Sequence, residues 1–430
     1  MPRLSKLPNG LSLVVAPVKG TKAATFLVLL PIGSRYEPAK ISGASHFVEH
    51  LMFKGTAKRP TSLDISRELD AAGAQFNAFT SKDYTGYYIK IDGAKSGLAL
   101  DILSDMLFHS KLDGEEIKRE KGVILEEIKM YEDNPAAAVS SLFEKLFFGQ
   151  HPLGRDIAGT KKTVSQISRG ELMNYYKNAY RPENMALVAA GNIKNDLVKK
   201  VKKYFGVRPQ RGRIGAGLGG KKISKNDFSK FSKRQSPVIR LAVEKRKLDQ
   251  ANVIIGFPGL SHNDPKRYAA GVLLNILGGG MSSRLFVEVR EKRGLAYKIR
   301  AGADGFRDCG LICIEAGLDV KRLGEAMAVI KNELKKISQK PVSAKELADA
   351  KSNLAGHLAL SMEDSSAQAN WFASKFWFEK NMAGYEEEIR KLKKVTAPQV
   401  LKLAKEIFKE KEMRVAVIGP LDRKQVVKML

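Results

Sequence analysis

The chain has 430 residues, 43% of them apolar, which is enough for two hydrophobic cores and more than a single core normally organises. The formal net charge of +28 comes from 74 Lys and Arg against 46 Asp and Glu; the lysines are spread along many helical stretches with no aromatic-basic RNA-recognition pattern, so specific nucleic-acid binding is set aside in favour of a solvated, Lys-rich surface. No run approaches about 18 uninterrupted apolar residues, which argues against a membrane-spanning helix, and two cysteines are too few for a disulfide framework.

In chain order, the start leads through the turn Asn9-Gly-Leu into an alternating strand over 11–15, with no basic-then-apolar leader, which predicts a cytoplasmic protein. A second strand is expected over 24–30. The run Ala44-Ser-His-Phe-Val-Glu-His-Leu-Met-Phe53 then reads as a helix. Thr61 or Ser62 can cap the next one, whose apolar positions Ile65, Leu69 and Ala72 recur at helical spacing and which Gly73 ends. Alternating patterns over 74–79 and 85–91 predict adjacent strands, and helices are expected over 95–109, 115–131 and 136–147. A strand over 185–190 and a helix over 196–205 close this half.

His46, Glu49 and His50 stand at i, i+3 and i+4, so a helix turning about 100° per residue points both imidazoles and the carboxylate the same way. That is the geometry of a metal pair with a base beside it, in the inverted order His-x-x-Glu-His. Only six histidines occur in the chain, and these two sit beside Phe47, Leu51, Met52 and Phe53, where an unsatisfied imidazole is costly to bury. The competing reading is a pair of partly buried histidines satisfied by hydrogen bonds. Catalytic zinc takes three protein ligands, so a third is sought. Glu120 and Glu127 stand seven residues apart, two helical turns, with Val123 and Ile124 between them on the same face; carboxylates in an apolar stripe require a cation or donors. Glu115, Glu116 and Glu126 read as solvated charges, and without the histidines Glu120 and Glu127 would read so too.

The segment His46 to His50, followed after 76 residues by Glu127 with Glu120 seven residues ahead of it, resembles the M16 peptidases, the inverzincins that include pitrilysin, insulin-degrading enzyme and the mitochondrial processing peptidase. Further matching stretches are Asn9-Gly-Leu, Gly33-Ser-Arg-Tyr-Glu37, Phe53-Lys-Gly-Thr56, Asn77-Ala-Phe-Thr80 with Asp83 to Tyr88, Gly278-Gly-Gly-Met-Ser-Ser-Arg-Leu285 and Arg290-Glu-Lys-Arg-Gly-Leu-Ala-Tyr297. The length is that of the short bacterial branch. This resemblance implies a zinc-dependent metalloendopeptidase with one zinc ion per chain, acting on unfolded peptides or short polypeptides. His46, His50 and Glu127 would ligate the metal, Glu49 would be the general base, and Glu120 would assist catalysis by orienting a histidine. Asn77 and Ala78 match the positions where an edge strand pairs with substrate, and Arg290 and Tyr297 match a pair that binds a substrate carbonyl. It also implies a homodimer, with a heterodimer with a related chain as the alternative assembly. Two competing readings are a silent scaffold or processing-complex subunit of the same family and a polyanion-binding protein that uses the net charge.

Met185-Ala-Leu-Val-Ala-Ala-Gly-Asn-Ile193 is echoed 228 residues later by Met413-Arg-Val-Ala-Val-Ile-Gly-Pro-Leu421, each followed by a Lys- and Val-rich helix, and a similar shift carries the motif helix onto residues 271–277. The expected fold class is therefore α+β: two related halves, each a mainly antiparallel sheet packed with helices. The catalytic half would span 1–207, a Gly-, Lys-, Arg- and Ser-rich flexible linker 208–236, and the related half 237–430. Cys309 and Cys313 lie in one apolar run read as a strand, where i and i+4 are about 13 Å apart and cannot bridge, so both are assigned to packing.

Overall fold

The computed structural model describes residues 2–206, 241–379 and 381–430. The expected flexible linker over 208–236 lies outside the described residues. The described residues form two compact units. One draws on the spans Met1–Lys129, Arg155–Asp227 and Leu360–Gly384, the other on Met130–Gly154, Phe228–Ala359 and Tyr385–Leu430. The expected α+β class is borne out in both, and each unit takes one segment from the opposite half of the sequence.

The first unit is built on a six-stranded sheet of β1 (Arg3–Lys6), β2 (Ser12–Pro17), β3 (Ala23–Leu30), β4 (Gln75–Thr80), β5 (Thr85–Asp92) and β6 (Ala186–Gly191), in the order β1-β2-β6-β3-β5-β4. Only β2 and β6 run parallel; the other neighbours are antiparallel. Period-two alternation sends Leu13, Val15, Phe26, Val28, Leu30 and Leu187 into one core. It sends Val14, Ala16, Leu27, Leu29, Val188 and Ala190 into a second core on the opposite face. With both faces covered, β3 and β6 read as continuous apolar runs and are buried along almost their whole length. On the first face lie α1 (Ala44–Met52), α2 (Ser62–Ala71), α3 (Ser96–His109), α4 (Gly114–Asp133), whose Ile117 and Ile124 join that core, and the helix Arg169–Ala179. The second face is covered by the helix Ser365–Ser374 through Ala369, Phe372 and Ala373.

The capped helix forms where its signals place it. The Thr61 side chain accepts from Asp64 N–H while Asp64 reaches back to the Thr61 backbone, and Gly73 takes a left-handed φ of 66° just past the end. Next in order come α5 (Pro135–Phe148), α6 (Lys161–Gln166), α7 (Arg169–Ala179) and α8 (Leu197–Phe205).

The second unit repeats the plan with β7 (Leu241–Lys245), β8 (Gln250–Gly259), β9 (Ala296–Gly305), β10 (Gly310–Asp319) and β11 (Arg414–Gly419), in the order β7-β11-β8-β10-β9. Again one pair, β7 and β11, is parallel and the rest antiparallel. The echoed segments become β6 and β11, which hold equivalent places beside the parallel strand, and the shifted motif helix becomes Arg267–Gly278. Helix α5, from the first half of the sequence, covers one face of this sheet: Ala138, Val139, Phe143 and Phe147 pack with Ile254, Leu311, Cys313, Ala416 and Ile418. Neither cysteine is in a disulfide. Cys313 lies in β10 as expected, but Cys309 falls in the turn that precedes it, because the strand begins at Gly310.

Gly256 in β8 lies under the Phe143 ring, where an added Cβ would come within 2.0 Å of the ring tip. Phe143 is fully buried and has no room to retreat. Gly256→Ala is therefore expected to destabilise the protein by about 1–3 kcal/mol, read as a lower Tm or urea midpoint; an unchanged midpoint would show that α5 is not held tightly there.

Candidate metal centre

Helix α1 buries Phe47, Val48, Leu51 and Met52 and leaves His46, Glu49 and His50 half-buried on the other side, as 3.6-residue periodicity requires. Its N-cap is Gly43, at φ 100°, where an added Cβ would stand 2.6 Å from Ala158 O, so no side chain can cap the helix from that position. Glu37 supplies the acceptors instead. Its Oε2 accepts from Gly43 N–H at 2.7 Å and its Oε1 from Ser45 N–H at 2.6 Å. Burial pushes the Glu37 carboxyl up to about 7 against these hydrogen bonds and the Arg155 charge. The Ser45 and Tyr175 hydroxyls are hydrogen-bonded at 2.6 Å, tying α1 to α7.

Glu127 on α4 reaches both imidazoles: its Oε2 lies 3.6 Å from His46 Nε2 and 3.5 Å from His50 Nε2. One ligand atom from each of His46, His50 and Glu127 lies within 4.8 Å of the others. Tetrahedral bonds of about 2.1 Å place ligands about 3.4 Å apart. The two measured separations match that spacing, and two imidazoles with one carboxylate are a donor set that zinc takes, so these residues fit the ion.

His50 makes a second contact across the same helix pair, its Nδ1–H donating to Glu120 Oε2 at 3.0 Å. The other Glu120 oxygen meets Lys54 Nζ at 2.7 Å. Glu120 is 1% exposed, and its carboxyl is held below the usual range, against burial, by the hydrogen bonds from His50 and Lys54. Burial lowers the His50 pKa, but hydrogen bonds to Glu120 and Glu127 prevail and push it up to about 9. His46 is pushed down to about 4 by burial and then by the His50 charge. The Glu127 carboxyl is held low, first by its hydrogen bond with His50. A metal ion arriving here would displace the proton on His50.

Glu49 points from the same helix side and accepts a hydrogen bond from Thr80 Oγ1 at the end of β4. Burial raises its pKa, and the Thr80 hydrogen bond opposes that rise.

The expectation that Val123 shares the stripe of Glu120 and Glu127 is corrected: Val123 is 47% exposed. The stripe facing the core is Ile117, Glu120 and Ile124, with Glu127 half-buried at its end; at about 100° per residue Val123 falls on its outer rim. Asn77 and Ala78 lie on β4, the edge strand of its sheet, with Asn77 exposed and its Oδ1 accepting from Ala78 N–H at 2.8 Å. In the second unit the Arg290 guanidinium lies 5.2 Å from the centre of the Tyr297 ring, and Tyr297 is 77% exposed at the start of β9. Glu37, Lys54 and Thr80 stood in recognised stretches without a role. Only the capless Gly43 ahead of the motif hinted that an acceptor was missing.

A family model described as Insulinase (Peptidase family M16) matches residues 13–161, and one described as Peptidase M16 inactive domain matches residues 166–354. A Streptomyces coelicolor protein named an uncharacterized zinc protease is 35% identical over 440 residues, covering 99% of this chain and 91% of that protein. A Bacillus subtilis protein of the same description is 34% identical over 412 residues, covering 96% and 97%. Among solved structures, a protease from Helicobacter pylori superposes with a TM-score of 0.88 at 22% identity, covering 98% of this chain and 99% of that one. A structure described as a peptidase M16 inactive domain from Pseudomonas fluorescens gives 0.87 at 19% identity, covering 98% of each chain. At these identities the two structures speak for the fold, and the full-length sequence relatives settle the rest: the chain belongs to the M16 peptidase family.

Proposed function

We propose that this protein is a zinc-dependent endopeptidase that hydrolyses unfolded peptides or short polypeptides, with one zinc ion held by His46, His50 and Glu127. The observation that carries the reading is the convergence of those three donors within 4.8 Å, with Glu49 on the same side of α1. Zinc in such a site supplies a Lewis acid and lowers the pKa of a bound water to about 7.

The chain's own residues do the rest. Glu49 takes the proton of the attacking water and returns it to the departing amine; burial, which raises its pKa, suits it to both halves of that transfer. Glu120 accepts from His50 Nδ1–H, which leaves Nε2 as the metal-facing nitrogen and fixes the ring. Substrate pairs by its main chain with the open edge of β4 near Asn77 and Ala78. In the second half, Arg290 and Tyr297 would donate to a substrate carbonyl, a role that rests on their family positions. With the metal motif and the Arg290–Tyr297 pair in one chain, a homodimer needs no second kind of subunit.

Glu49→Gln keeps the shape of the side chain and removes the base. It is expected to retain stoichiometric zinc and lose about 10²–10⁴-fold in kcat, measured by metal analysis with a peptide-cleavage assay; cleavage at the normal rate would rule out Glu49 as base. Glu127→Ala removes a ligand. Its zinc affinity should fall by more than the roughly 10–100-fold that loss of an outer partner costs, and stoichiometric zinc surviving dialysis against a chelator would dismiss Glu127 as a ligand.

A further inference from the structure

We infer that Thr80 is the positioning residue of the reaction: its hydroxyl holds one oxygen of Glu49, turns the other toward the water, and ties the base to the strand that pairs with substrate. This deepens the peptidase reading and rests on Glu49 being the base.

A glutamate base is a flexible one, with three rotatable bonds between the helix and its carboxylate, and it must present one oxygen within about 3 Å of the proton it takes. Glu49 has a single hydrogen-bond partner among the described residues, the Thr80 hydroxyl, which engages Oε2. A carboxylate only accepts, so the hydroxyl must donate, and Oε1 is left for water.

The donor is built rigidly. Threonine is stiff at χ1, and Thr80 pairs with Thr85 at the closed end of the β4–β5 hairpin. The loop beyond it is clamped: Ser34 N–H and Arg35 N–H donate to Ser81 O and Lys82 O at 3.1 Å each, and the buried Arg35 Nη1–Asp83 Oδ1 pair closes at 3.0 Å. Tyr36 OH donates to the same Asp83 oxygen at 3.0 Å. The hydroxyl that orients the base therefore sits on a fixed hairpin end, three residues along the edge strand from Asn77. Substrate pairing along β4 and alignment of Glu49 share one strand.

The test compares Thr80→Val, which keeps the shape and removes the donor, with Thr80→Ser, which keeps the donor, each alone and combined with Glu49→Gln, in the full-length zinc-loaded enzyme. Thr80→Val is expected to lower kcat 10–100-fold, an order-of-magnitude range for a misaligned catalytic group, with KM within about twofold, zinc stoichiometric and Tm unchanged. Thr80→Ser should restore most of the rate. In the Glu49→Gln background Thr80→Val should cost nothing more, since the group it acts through is gone. A normal kcat for Thr80→Val, failure of serine to rescue, loss of zinc, or additive losses in the double variant would each overturn the inference. If Glu49→Gln itself turned over normally, the base assignment would fail instead, which is a distinct result.

Discussion

The His50 ring is what the site depends on. One nitrogen meets Glu127 and the other Glu120, so a single imidazole on α1 engages two carboxylates two helical turns apart on α4. The constraint behind this contact is charge. Glu49, Glu120 and Glu127 gather in a region where each is at least half-buried, and carboxylates removed from water must be compensated. The Lys54 ammonium lies against the innermost of them, Glu120. Under the proposed function zinc would supply the remaining two positive charges, so that three carboxylates, one ammonium and one divalent ion balance.

Rigidity comes from the elements around this contact. Glu37 caps α1 from the loop before it, and Ser45 and Tyr175 tie its first turn to α7. The Arg35–Asp83 pair fixes the hairpin end that carries Thr80. The stretch Gly33 to Glu37 thus holds both helix α1 and the β4 hairpin. Gly33 has no freedom of its own there: an added Cβ would stand 2.2 Å from Ser81 O.

Behind these parts the two units solve the same packing problem by exchange. A sheet with two apolar faces needs cover on both, and each sheet draws the cover of one face from the opposite half of the sequence, α5 for the second and the helix Ser365–Ser374 for the first. Ser365 adds a buried polar contact, its hydroxyl lying 2.8 Å from Thr25 Oγ1 on β3.

Much of this was legible in the sequence, for local reasons. Period-two alternation and helical spacing place β2 to β6 and α1 to α5 within a residue or two of their observed ends, because each buries a face that its own residues define. The face shared by His46, Glu49 and His50 needed only helical geometry, and the family followed from ordered motifs. What the sequence could not decide was contact between distant segments. Nothing in the spacing of α4 says that Val123 turns outward while Glu120 is buried, since that depends on where α1 lies. The same holds for Lys54 on Glu120, Glu37 beneath Gly43 and Thr80 on Glu49, each joined across loops whose lengths carry no record of the meeting. Residue types and their periodicity determined which chemistry was available; only packing of one helix against another decided which atoms came within bonding distance, because hydrogen bonds and ion pairs are set by positions in space and not by separation along the chain.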